Sequence, residues 1–278
     1  MSSFIFPPKK YKLESGVRQL NKGQDYVSNG TGIDNFEPYK EFKWGLVLDG
    51  HGEINSIFFD KLWMFDFSNI VCHQDPINEI VNKLNNYKDY NINTGSTLAL
   101  FKVYDNTIKI YNIGDSKIDV YINNNLIYST TPHNMDNLNE EFRLFNKVNV
   151  VRKNITKPKV ILNNKIEILP SHVIIFNNLF ALAMSQSLGH HNLIELYPEV
   201  VEILYNSSDK INIVCATDGL WDLFIENDNN DINDNLNMGL NELLNKYENR
   251  WKQEWILDGI NEVFDEYDDI GIVLYSSE

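Results

Sequence analysis

Apolar and polar positions alternate most clearly between Thr97 and Ser129, where "TLALFKVYD", "NTIKIYNIGD" and "KIDVYINNNLIYST" follow one another. These runs are rich in β-branched and aromatic residues, and Ile108 and Ile110 alternate with Lys109 and Tyr111. Asp105-Asn106 and Gly114-Asp115 interrupt them as short turns, so the stretch predicts an antiparallel meander. Further strands are predicted over 42–49, 172–178, 211–218 and 270–276. The runs 211–216 and 270–275 are almost continuously apolar, the pattern of central strands buried on both faces.

Three- and four-residue spacing takes over elsewhere. It predicts helices over about 54–66, 76–87, 137–146 and 238–264; in the last, Leu240, Leu243, Leu244, Tyr247 and Trp251 share one face. The segment 226–237, "ENDNNDINDNLN", reads as a solvated Asn-rich loop. There is no internal repeat and no clean linker, so 1–278 is expected to be a single domain. Strands and helices interleave without regular βαβ alternation. The fold class is therefore α+β, antiparallel sheets covered by helices.

Composition changes this picture little, and charge changes it more. The 278 residues are ample for a sizeable core, and 43% hydrophobic with 23% charged residues fits a soluble globular protein. Acids outnumber bases 39 to 24, for a net charge of −15, which argues against nucleic acid and anionic membrane as partners. Two cysteines, Cys72 and Cys215, make no disulfide framework, so a reducing compartment is expected. The N-terminal "MSSFIFPPKKYKLES" has no signal-type apolar core, and no stretch approaches a membrane span, so a cytoplasmic location is expected. "PPKKYK" at 7–12 reads as a solvated basic tail, and Trp44, Trp63, Trp221, Trp251 and Trp255 read as packing residues. His190 and His191 read as an exposed pair, weak evidence for a metal.

The candidate chemistry lies at strand ends. Asp49 in "LDGHG", Asp115 in "IGDS", Asp218 in "ATDGLWD", and Asp268 with Asp269 in "YDDIGIV" each sit where an apolar run stops or starts. Any one Asp beside a Gly reads first as a turn. As a set they can converge on one sheet edge, where carboxylates repel unless cations lie among them. Mg²⁺ or Mn²⁺ suits oxygen ligands, and two such ions can clamp a phosphoryl group. No Cys/His spacing suggests zinc.

On these residues the chain resembles the type 2C family of metal-dependent serine/threonine protein phosphatases. "GQDYV" (23–27), "LVLDGHGE" (46–53), "TGSTLAL" (94–100) and "YNIGDSKIDVY" (111–121) come in the family's order. They are followed by "STTPHN" with Glu140, Glu141 and Arg143, then "LAMSQSLGH" (182–190), "CATDGLWDLF" (215–224) and "DDIGIVLY" (268–275). The resemblance implies a four-layer αββα sandwich, two antiparallel sheets flanked by helices. It also implies an activity: hydrolysis of phosphoserine and phosphothreonine on protein substrates, by a water or hydroxide bridging two Mn²⁺ or Mg²⁺ ions. Asp49 would bridge the metals, the Gly50 carbonyl would contact one, and Asp218 and Asp268 would hold the other. Asp115 with Asp218 would support a third ion, Asp25 would hold metal-bound water or a metal, and His51 would be the general acid. A monomer is expected.

Four departures stand out. Gln24 replaces a Glu. Leu20 replaces the phosphate-binding Arg, leaving Arg18 and Lys22 as the nearest substitutes. Gln186 and His190 replace Arg and Asp of the SRxLGD motif. The glycine pair expected after Arg143 is missing, and 145–181, the family's flap beside the active site, looks rebuilt. The alternative is a phosphatase-like binding or regulatory protein that has lost turnover.

Overall fold

A computed structural model of the chain describes residues 10–36, 40–53, 56–87, 89–145, 147 and 150–277. In chain order the first strands are β1 (Tyr11–Arg18), β2 (Tyr26–Ile33), β3 (Glu41–Leu48) and the short β4 (Gly50–His51) and β5 (Gly95–Ser96). The meander follows as β6 (Leu98–Val103), β7 (Thr107–Ile113), β8 (Lys117–Ile122) and β9 (Asn125–Ser129). Next come β10 (Val150–Ile161), β11 (Lys165–Phe176), β12 (Phe180–Leu182) and β13 (Leu188–Gly189). The chain closes with β14 (Glu199–Leu204), β15 (Ile211–Ala216), β16 (Trp255–Leu257), β17 (Ile260–Glu262) and β18 (Ile270–Ser277). The helices are α1 (Ile57–Trp63), α2 (Phe67–Ile70), α3 (Pro76–Leu84), α4 (Leu138–Leu144), α5 (Asp218–Trp221), α6 (Asn229–Asn237) and α7 (Leu240–Lys252).

Two five-stranded antiparallel sheets carry the fold, ordered β1-β18-β15-β8-β9 and β14-β7-β6-β3-β2. Alternation along β3 shows how they stack. Trp44, Leu46 and Leu48 face outward to α1–α3, where Phe58, Phe59, Leu62 and Ile80 cover them. Val47 faces inward with Phe101 and Ile110, against Ile118, Ile213 and Val273 of the other sheet. On the far side, Ala216, Ile270 and Ile272 pack under Leu220, Leu243, Leu244, Tyr247 and Trp251 of α5 and α7. The result is the four-layer αββα arrangement. β6 and β15 are buried along their whole length, as their unbroken apolar runs require.

Several sequence expectations are corrected. The predicted helix 238–264 stops at Lys252; Gln253 is extended, and β16 and β17 form a hairpin through Asp258 (φ 50°). The 226–237 segment is not a loop, because α6 fills most of it. Asp228 accepts from Asn230 N as its cap, and the wholly buried Asp231 pairs with Lys246 (2.8 Å) and Arg250 (2.6 Å) of α7. Tertiary ion pairs here override the poor helix propensity of Asn and Asp. Tyr11 and Lys12, read as tail, begin β1; residues 7–9 lie outside the described residues. The other predicted helices shorten by a few residues; 54–55 and 146 are not among those described.

The region 145–181 is the long hairpin β10–β11, with β12 alongside. It is anchored by Ile174, Phe176, Phe180 and Leu182 packing on Leu144 and Met135. Residues 146, 148 and 149 lie outside the described residues. Trp44, Trp251 and Trp255 are buried and Trp63 and Trp221 partly so, all in apolar clusters. Among the described residues no helix is long and apolar enough to cross a membrane.

Candidate metal centre and active site

The two sheets end their strands at one edge. Ala216, the last residue of β15, pairs with Lys117 on β8 and Ile272 on β18. Asp218 at the start of α5 therefore lies beside the β7–β8 turn carrying Asp115 and the approach to β18 carrying Asp268. Gly219 is needed for this: a Cβ there would lie 1.9 Å from the Asp269 carbonyl oxygen, so a side chain would lever α5 off β18. From the other sheet, Asp49 follows β3 directly. Thr97 fixes it at both backbone atoms: Asp49 N donates to Thr97 Oγ1 (3.1 Å) and Thr97 N donates to Asp49 O (2.9 Å).

One carboxylate oxygen each from Asp49, Asp115 and Asp218 falls within 4.8 Å of the others. Burial, then the charge of Asp218, holds Asp49 well above the usual carboxylate range. The same two causes push Asp115 up to about 7 and Asp268 up to about 6. Asp25 is also raised by burial; its Oδ2 accepts from Thr217 Oγ1 (2.7 Å). Asp115 Oδ1 is buried without a hydrogen-bond partner. An all-oxygen donor set this crowded, this raised and partly unpartnered fits hard divalent cations.

The acids form the floor of a cavity of about 540 Å³, with Lys22 and His51 on its wall. The β10 hairpin overhangs it with Lys157 and Pro158. Lys22 Nζ reaches Asp268 at 2.8 and 2.9 Å; burial opposes its charge, but Asp268 outweighs burial and raises its pKa. Burial likewise opposes the charge of Lys157, and Asp222, Asp115 and Asp218 overcome it. Arg18 is not brought to the cavity. It pairs with Glu248 (3.4 Å) and Asn245 (3.2 Å) on α7. Leu20 packs against the α7 cluster, and Gln24 donates from Nε2 to the Gly52 carbonyl (3.1 Å).

Asp269, grouped with Asp268 by sequence, does different work. Its carboxylate accepts from the backbone N–H groups of Leu20 (2.7 Å), Lys22 (3.3 Å) and Gln24 (2.8 Å), and so shapes the loop that carries Lys22 and Asp25. His190 is also not the exposed residue expected: it is wholly buried, and its Nε2 lies 2.9 Å from His51 Nε2. Lys157 and Asp222 were not singled out by sequence. Asp222 carried a signal, as the second acid of "DGLWD"; Lys157 carried none, since only the path of the hairpin brings it over the acids.

A family model for protein phosphatase 2C matches residues 70–237. The chain belongs to the protein phosphatase 2C family. Solved structures extend that likeness over nearly the whole chain. A serine-threonine phosphatase 2C from Toxoplasma gondii aligns with a TM-score of 0.54 at 14% identity, covering 98% of this chain and 96% of that one. A serine/threonine phosphatase from S. agalactiae gives 0.52 at 14% identity, covering 96% and 98%. A C. elegans sex determining protein gives 0.55 at 15% identity, covering 98% of this chain but only 65% of that one. At such identities the likeness is one of fold. A comparison with curated proteins gives no match. Within this phosphatase 2C chain, Asp115 and Asp218 fall inside the matched segment and Asp49, His51 and Asp268 outside it.

Proposed function

We propose that this protein is a metal-dependent serine/threonine phosphatase, hydrolysing phosphoserine and phosphothreonine on protein substrates with a water activated between two Mn²⁺ or Mg²⁺ ions. The observation that carries the reading is the convergence of Asp49, Asp115 and Asp218 within 4.8 Å at the floor of a cavity walled by two lysines. Asp49, the Gly50 carbonyl, Asp218 and Asp268 would hold the two ions. Asp115 with Asp218 would hold a third, and Asp25 would act through water or directly. Bound divalent cations supply charge neutralisation on the phosphoryl oxygens and a water of lowered pKa.

The chain's own groups do the rest. The buried carboxylates fix where positive charge collects, so the phosphoryl group of a substrate is drawn to the cavity floor. Lys22 and Lys157, both in the cavity lining, would meet that group in place of the arginine that Leu20 replaces; each acts as a point charge rather than a bidentate fork. His51, on the turn after Asp49, relays a proton to the departing seryl or threonyl oxygen, a poor leaving group that needs an acid. The hairpin β10–β11 bounds the space for a substrate polypeptide.

The same reading takes 1–278 as one catalytic domain working in the cytoplasm as a monomer. The net charge of −15 disfavours nucleic acid and anionic membrane as its partners. The test is hydrolysis of p-nitrophenyl phosphate and of a phosphothreonine peptide, with Mn²⁺ and with chelator. Metal-dependent release of phosphate from both is expected. No turnover on either would leave a phosphatase-like binding protein.

A further inference from the structure

His190 departs from the family pattern, and its surroundings are more ordered than drift explains. The residue is wholly buried, stacked on Phe180 with centroids 4.4 Å apart and planes at 18°. Its Nδ1 lies 2.8 Å from the Ile92 carbonyl. A carbonyl oxygen can only accept, so Nδ1 carries the hydrogen. Burial lowers the His190 pKa to about 4, so the ring is neutral near pH 7 and its Nε2 is a bare acceptor.

That acceptor faces one group, His51 Nε2, at 2.9 Å. Two bare nitrogens at this distance would repel, so the hydrogen sits on His51 Nε2. Ser187 agrees: its hydroxyl donates to the Leu188 carbonyl (2.9 Å) or to Ser96 O (3.2 Å), which leaves an oxygen lone pair for His51 Nε2 at 3.1 Å. Both neighbours of Nε2 therefore call for the same tautomer. Nδ1 of His51 is buried without a hydrogen-bond partner.

The backbone is built around this contact. A Cβ on Gly95 would lie 2.4 Å from His190 Nε2 and 2.7 Å from His51 Nε2, so only glycine leaves room for the two rings to meet. His190, His191 and Asn192 hold φ of 49°, 51° and 57°, a left-handed run that non-glycine residues adopt only when their surroundings compel it.

We propose that His190 is a positioning residue for His51: it holds the hydrogen on His51 Nε2, so that Nδ1 is the nitrogen that serves the leaving oxygen. This rests on the phosphatase reading for its consequence, though not for its geometry. In the reaction the water oxygen forms its bond to phosphorus as the bond to the seryl or threonyl oxygen breaks. The electron pair passes to that oxygen; the attacking water gives up a proton to the bare Nδ1, and Nδ1 passes that proton to the departing oxygen. His51 is left as the Nε2–H tautomer that His190 already holds.

The test is ¹⁵N NMR of histidine-labelled full-length protein, which reads the tautomer of each neutral ring. His51 is expected to show hydrogen on Nε2 alone. His190→Leu removes the nearer of the two acceptors, leaving only the Ser187 oxygen, and should give a mixture of tautomers. His190→Asn should restore Nε2–H, because its amide oxygen accepts and asparagine tolerates left-handed backbone. On a phosphothreonine peptide, His190→Leu should lower kcat about tenfold with KM held. Hydrogen on Nδ1 in the wild type, a single Nε2–H tautomer in His190→Leu, or an unchanged kcat in that variant would each overturn the proposal. Should the wild type prove inactive on every phosphate ester, the phosphatase reading fails. The NMR arm then still decides whether His190 fixes the tautomer.

Discussion

Asp231 and Asp49 are both buried aspartates, and the chain treats them in opposite ways. Around Asp231 it supplies Lys246, Arg250 and the backbone N–H of Ile225 (2.9 Å), and this company, working against burial, holds the carboxyl below the usual range. Around Asp49 it supplies Asp218, Asp25 and Asp268, so burial and repulsion both push the carboxyl up. The first cluster is electrostatically complete and ties α6 to α7. The second, on the proposed reading, is completed by cations from solution. A charge cluster satisfied from within is structure; one left in deficit is a site, and its deficit weakens the fold that carries it.

The contrast can be broken most severely at the cavity floor. Asp49→Asn or Asp218→Asn removes an anion from the crowded set. Turnover should fall about a thousandfold or more, the loss of several kcal/mol of charge stabilisation. Thermal denaturation in chelator should show the same variants to be more stable than the wild type. Full activity in either variant would dissolve the proposed centre. The opposite outcome is expected at the other cluster. Asp231→Ala leaves Arg250 without its carboxylate and Lys246 with Asp234 alone, and should cost about 3–5 kcal/mol in denaturant unfolding, as for a broken buried ion pair. A loss below about 1 kcal/mol would place Asp231 with surface pairs.

Acidity should separate the clusters by the sign of the slope. Asp268 and Asp115 are raised to about 6 and about 7, so in chelator their protonated forms favour the folded state at low pH. That stability is lost as pH rises through about 6 to 7, where both must ionise in the fold. Asp231, lowered, contributes above the usual carboxylate pKa and loses its contribution only as pH falls through its own lower value. Melting temperatures in chelator should therefore drop from pH 5 to pH 7.5, and Mn²⁺ should recover most of the drop at the higher pH. A flat profile with no response to Mn²⁺ would contradict the charge deficit. The smallest effect belongs to the lysine walls. Lys157→Ala should raise KM for a phosphopeptide by about tenfold or less with kcat little changed, the loss of one partly exposed charge contact. A larger fall in kcat than rise in KM would move Lys157 from binding into the chemical step.

Much of this was legible in the chain because period and burial coincide. The meander and the two central strands declare themselves, since their apolar runs are long and their turns carry Gly, Asn or Asp. β1 and β2 do not, because "YKLESGVR" and "YVSNGTGI" are only half-buried and mix glycine with polar residues. The convergence of the acids was legible where one short motif carries both the bend and the acid, as at Asp49, Asp115 and Asp218. It was not where function depends on a meeting of distant segments. His51 and His190 meet because the short strands β4 and β13 both pair with β5, and Lys157 reaches the acids only by the path of a hairpin. α6 was missed for a related reason: its stability is lent by α7, and no local pattern records a loan from another helix.

β18 lies between β1 and β15, with Asp268 just before it and Asp269 clamping the loop after β1. During synthesis, then, the sheet that begins with residue 11 waits for residue 270 before its centre can close. Until then the growing chain has the outer strands of that sheet without the one between them, and four acids without their fifth. Such non-local closure is slow and comes last. A ribosome-bound chain cut anywhere before residue 268 would thus carry a partial metal site and no working phosphatase, so activity would switch on only as the final strand is threaded into place.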